Sequence, residues 1–218
     1  MNEIEKERLK IRKFANSGQY KKAYLLAKRL RSKYPSEFTF AYSEAVMFGD
    51  DEDGRTPSEI LKRHKIAAKM LRPWLRKLKG ASPERRGAFR NEYYWFSHQP
   101  LKQYRLGVEE VKAGINGYYS QGVGAVEMAF KYAKLGRSIL AIRWAKRAEK
   151  AWLRYFERQK DWYNSYCWYA KSLGLQGQSN EMEKALGRAA KISSKSIHCE
   201  EFRSVRKEVL AALKQLKL

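Results

Sequence analysis

Proline, cysteine, histidine and long apolar runs are all scarce in this chain, and each scarcity removes a class of protein. Five prolines in 218 residues leave long stretches free for uninterrupted helix, because proline breaks the helical hydrogen-bond ladder. Two cysteines, Cys167 and Cys199, cannot build a disulfide framework. Free thiols in a reducing, cytoplasmic setting are expected instead. Of the three histidines, His64, His98 and His198, only His198 lies beside a cysteine. Adjacent residues rarely point at one ion, so neither a metal nor another cofactor is expected. The longest apolar runs are only a few residues, too short to insert into a membrane. The charged stretch Met1 to Lys10 has no apolar run behind it, so no secretory signal is expected.

Catalytic signatures are missing as well. There is no phosphate-cradling G-x-x-x-x-G-K-[ST] and no dinucleotide fingerprint; Gly122 and Gly124 form a G-x-G with no strand before it. No nucleophile, base and orienting group can be assembled from the sequence, so the chain is expected to be no enzyme. The acidic run Asp50-Asp51-Glu52-Asp53-Gly54 has part of a calcium-loop pattern, with Asp51 and Asp53 two positions apart ahead of a glycine. The positions that should begin and end such a loop are Gly49 and Ile60, which supply no side-chain ligand. The run reads as a solvated loop.

Acidic residues are the other shortage. Against 46 lysines and arginines stand 23 aspartates and glutamates, a formal charge of +23. A balance this far from neutral favours an acidic protein, a phosphate backbone or an anionic surface as partner. The charge is concentrated: residues 55–90 hold 12 basic and 2 acidic residues. Within them Lys62, Lys65, Lys69, Arg72, Arg76 and Lys79 follow steps of 3, 4, 3, 4 and 3, which on an α-helix is a single stripe. Ile60, Leu61, Ala67, Ala68, Leu71, Trp74, Leu75 and Leu78 occupy the other side. Solvated helix faces usually mix the two signs, so the stripe is expected to bind a partner. Pro73 should bend or break the helix and divide the stripe, and the acidic run just upstream is a candidate to screen it.

Nearly every segment has helical rather than alternating periodicity, so the chain reads as all-α. Small or apolar residues recur at offsets of 0, 4 and 7. The trios are Ala23, Ala27 and Leu30; Ala67, Leu71 and Trp74; Ala141, Ala145 and Ala148; and Ala185, Ala189 and Ile192, with a weaker copy at Tyr104, Val108 and Val111. Bulky residues and glycine turns precede them, as in Phe14 with Gly18, Tyr132 with Gly136, and Ala170 with Leu173-Gly174. Pro35 follows the first trio at offset 12. This pattern resembles the tetratricopeptide repeat, in which two antiparallel helices fill about 34 residues.

The resemblance covers about three quarters of the chain. It implies a right-handed α-solenoid of antiparallel helix pairs over a single domain, residues 1–218, closed by a C-terminal capping helix. Phe202, Val205, Val209, Leu210, Leu213 and Leu216 stand at helical spacing for that last helix. Tyr163, Tyr166 and Ala170 are expected in the core. The resemblance further implies protein ligands in a concave groove, here assigned to Val126, Phe130, Lys134, Trp168 and Lys171. The carboxylate-gripping residues of some family members find no match at Arg8, Arg12, Ser43, Val123 and Glu127. The expected function is a non-enzymatic scaffold for an acidic protein or peptide. The competing expectation is nucleic-acid binding, RNA before DNA, which rests on the charge, the cation stripe and the aromatics near Tyr93 and Trp162.

Overall fold

The computed structural model describes residues 2–51, 55–159, 162–192 and 199–216. Every element among them is helical: eleven α-helices, one 3-10 helix and no strand. The contacts divide the chain into two compact units, Met1–His98 and Gln99–Leu218.

The first unit contains α1 (Glu3–Asn16), α2 (Tyr20–Lys33), α3 (Phe38–Gly49), α4 (Pro57–Leu71), a 3-10 helix (Arg72–Gly80) and α5 (Pro83–Phe96). Each α-helix packs on the next. The starts are chemically marked. Asn2 accepts a hydrogen bond from the Glu5 N–H at 2.8 Å. Thr56 and Glu59 form a reciprocal capping box ahead of Pro57, which satisfies amides that the first helical turn leaves without partners. The repeated small residues are where the helices meet: Ala23, Ala27 and Leu30 are buried with Ile11 and Phe40, and Ala67 and Leu71 with Ala45, Phe89 and Phe96. One carboxylate is carried inside. Glu44 on α3 is buried and pairs with Arg31 Nε of α2 at 2.7 Å.

The second unit contains α6 (Pro100–Lys112), α7 (Tyr118–Lys134), α8 (Ser138–Phe156), α9 (Tyr163–Gly174), α10 (Ser179–Ile192) and α11 (Cys199–Leu216). From α6 to α10 each helix packs on the next. The G-x-G of the sequence sits inside α7 and serves packing. A Cβ on Gly124 would stand 2.6 Å from the Tyr104 amide nitrogen of α6, and one on Gly122 would run into the Trp152 ring of α8. The trio Ala141, Ala145 and Ala148 is fully buried. Tyr166 and Ala170 join a core with Leu173, Met182, Leu186, Phe202, Val205 and Val209, against which Tyr163 packs. The expected glycine turn at Leu173-Gly174 lies elsewhere. The left-handed residue is Gly177, with φ of 77°, while Gly174 ends α9 and faces Val209 and Met182.

α11 packs across α7 and α9. Its buried stripe is Phe202, Val205, Val209, Ala212 and Leu216, the 3- and 4-residue spacing of one helical face.

Candidate anion-binding faces

The acid-free stretch after Glu59 places its cations along α4 and the 3-10 helix. Lys62, Lys65 and Lys69 lie on the α4 face opposite His64, Ala67 and Leu71 and are exposed. Arg72 and Arg76 are exposed on the 3-10 helix. The side chain of Lys79 lies outside the described residues. Pro73 ends the α-helical geometry as expected. In a 3-10 spiral four residues turn about 120° past a full circle, against about 40° in an α-helix. Arg76 is therefore rotated away from the direction that an unbroken stripe would give it. Ile66 is 46% exposed among the lysines, so the face carries an aliphatic contact as well as charge. Among the described residues, none of these five cations makes an ion pair.

The acidic run contributes Asp50 and Asp51 to the described residues, and Asp51 is engaged by cations outside the stripe. Asp51 Oδ2 accepts from Arg55 at 2.6 Å and from Arg63 at 3.1 Å. Arg63 also donates to the Phe48 carbonyl at 2.9 Å and stacks its guanidinium 4.0 Å from the Phe48 ring centre. These bonds fasten the chain after α3 to the side of α4. Residues 52–54, which hold the other part of the run, lie outside the described residues.

A histidine pair that spacing does not announce stands behind the stripe. His64 Nδ1 lies 3.3 Å from His98 Nε2, and the rings stack with centres 5.2 Å apart. His64 is buried against Phe96. His98 adopts a left-handed φ of 51° just after α5. Burial holds the His98 imidazole below its usual pKa, and the neighbouring His64 and Lys65 push it the same way. The bond needs one ring to donate and the other to accept. Among the described residues no three His, Cys, Asp or Glu side chains are placed to hold a metal. Cys167 is buried, and burial pushes its thiol up to about 12, far from the thiolate range a nucleophile needs. The side chains of His198 and Cys199 lie outside the described residues.

The residues assigned to the groove, Val126, Phe130, Lys134, Trp168 and Lys171, differ in their exposure. Val126 and Trp168 are buried. Phe130 is half-buried against the core that includes Phe202, Val205 and Val209. Lys171, 14% exposed at its side chain, pairs with Glu208 of α11 at 2.8 Å and lies 4.5 Å from the Trp168 ring centre. Only Lys134 is exposed. α11 contributes to this for Phe130, through the core with Phe202, Val205 and Val209, and for Lys171, through Glu208.

A second cation row, missed by the sequence reading, runs along α8. Arg143, Lys146, Arg147, Lys150 and Arg154 are exposed, opposite the buried Ala141, Trp144, Ala145, Ala148 and Trp152. The signal was present: steps of 4, 3 and 4 join Arg143, Arg147, Lys150 and Arg154, with no acid between Ser138 and Ala148. It was masked because the same segment carries the clearest repeat trio. Arg147 holds its guanidinium 4.6 Å from the Trp144 ring centre.

No protein-family model matches this chain, and no curated protein matches it. No helix among the described residues is long and apolar enough to cross a membrane.

Proposed function

We propose that this protein is a non-enzymatic, cytoplasmic helical-repeat scaffold that docks an acidic protein or peptide on the basic face of α4 and the following 3-10 helix. The observation that carries the reading is that the row makes no ion pair. Lys62, Lys65, Lys69, Arg72 and Arg76 are exposed with no ion pair among the described residues, while the adjacent Asp51 is held by Arg55 and Arg63. Exposed Ile66 within the row favours a partner that supplies apolar contact along with carboxylates. Charge of one sign on a face steers encounter and selects the partner more than it adds raw affinity.

Tetratricopeptide-type pairing of antiparallel helices, and the right-handed solenoid built from it, belong to the same proposal. They are supported by consecutive packing within each unit and by burial of the small residues at repeat positions. The reading does not use the groove, since of its assigned residues only Lys134 is exposed. The test is binding of a fluorescein-labelled poly-L-glutamate probe by fluorescence anisotropy. The variant Lys69→Glu/Arg72→Glu/Arg76→Glu should lose that binding with its circular dichroism unchanged. Undiminished affinity in this variant refutes the proposal. A nucleic-acid partner is favoured by a different face, on α8.

A further inference from the structure

The α8 row continues past the helix end into an aromatic corner. Arg158, exposed just beyond Phe156, places its guanidinium 5.3 Å from the Tyr118 ring centre. Trp162 is 45% exposed and stacks on Tyr119, with ring centres 5.9 Å apart and planes 28° apart. Tyr119 in turn meets the buried Trp152 edge-on. An exposed indole is thus held in place by rings anchored in the core, at the end of a cation row. The row from Arg143 to Arg154 rises about 16 Å along the helix at 1.5 Å per residue. Its acids are turned aside or single: Glu149 accepts from Gln176 of α9 at 2.9 Å, and Glu157 accepts from Arg154 at 3.0 Å.

We propose that this face of α8 binds single-stranded nucleic acid, with Arg143, Arg147, Lys150, Arg154 and Arg158 along the phosphates and an unpaired base stacked on Trp162. Cations that follow a backbone, combined with an aromatic side chain as a stacking platform, are how proteins hold unpaired strands without reading their sequence. An acidic peptide would use the cations and touch the indole only with its side chains, whereas a flat base stacks on the ring plane. A duplex would use the cations too, but its bases are already stacked on one another. The proposal rests on residues of the second unit only and is independent of the α4 face.

The test uses the full chain and a fluorescein-labelled oligouridylate of about 15 nucleotides, within the length range that such sites cover, read by anisotropy against salt. Neutralising five phosphates predicts a slope of log affinity against log salt of about −3.5. Arg147→Glu/Lys150→Glu should flatten the slope to about −2, because two of five contacts are lost. Trp162→Ala should weaken binding about 5- to 100-fold and Trp162→Phe much less, as loss and retention of one stacked base require. The Trp162→Ala loss should vanish for a duplex of the same length. Unfolding curves confirm that each variant is folded. Unchanged affinity in folded Trp162→Ala, equal losses for oligouridylate and poly-L-glutamate across the variants, or no binding at low salt would each overturn the proposal. The Lys69→Glu/Arg72→Glu/Arg76→Glu variant should keep its oligouridylate affinity within about threefold, so failure of the α4 reading is seen separately.

Discussion

A side chain at position 174 has no room. A Cβ there would stand 2.5 Å from a Val209 methyl and 2.7 Å from the Met182 sulfur, closer than real Cβ contacts allow. Gly174→Ala should therefore destabilise the protein by about 1–3 kcal/mol through overpacking, read as a lower urea midpoint. Val209→Ala in the same chain should return part of the loss. The histidine pair makes a pH prediction. The His98 imidazole is held below its usual pKa by burial, then by His64 and Lys65, so the unfolded chain binds this proton more readily. The contribution is then fully present above the unfolded value of about 6.5 and is lost as pH falls toward the folded value. Melting temperature should drop from pH 7.5 to 5.5, and His98→Asn, which tolerates the left-handed backbone, should drop less. At this scale the sequence was legible where periodicity decides: Ala23, Ala67, Ala141 and Ala185 are all buried. It was not legible where one residue type serves two purposes. Gly174 was read as a turn and is a close approach, because both uses leave the same letter. The His64–His98 contact joins positions that only the packing of α4 beside the end of α5 brings together.

For whole elements the contrast lies between existence and partner. The apolar spacing of residues 202–216 announces an amphipathic helix, and α11 is one. Which helices it covers depends on shape and on the chain path before it, and neither is written in its own periodicity. The face it uses is testable by a pair of substitutions. Phe202→Ala, in the buried stripe, should cost about 3–5 kcal/mol. Leu210→Ala, 57% exposed, should stay within about 0.5 kcal/mol of wild type. Similar costs for the two would mean that α11 presents another face to α7 and α9. The break at Pro73 was readable for the opposite reason: a missing N–H and a ring clash act locally, and α4 ends at Leu71 with the 3-10 helix following.

At the scale of the molecule, a charge of +23 ensures attraction to almost any polyanion, so binding alone says little about where it happens. Acidic polypeptide is assigned to the α4 face. The deciding comparison is between charge reversals of equal size at two places. Lys69→Glu/Arg72→Glu/Arg76→Glu and Lys21→Glu/Lys22→Glu/Arg29→Glu change net charge equally, and all six residues are exposed. Anisotropy of labelled poly-L-glutamate of about 20 residues, at about 50 mM salt where exposed charges are weakly screened, measures both. The first variant should lose about tenfold or more in affinity and the second less than about threefold, because only local contacts distinguish them. Equal losses, or none in the first, would contradict the assignment of the α4 face as a docking surface.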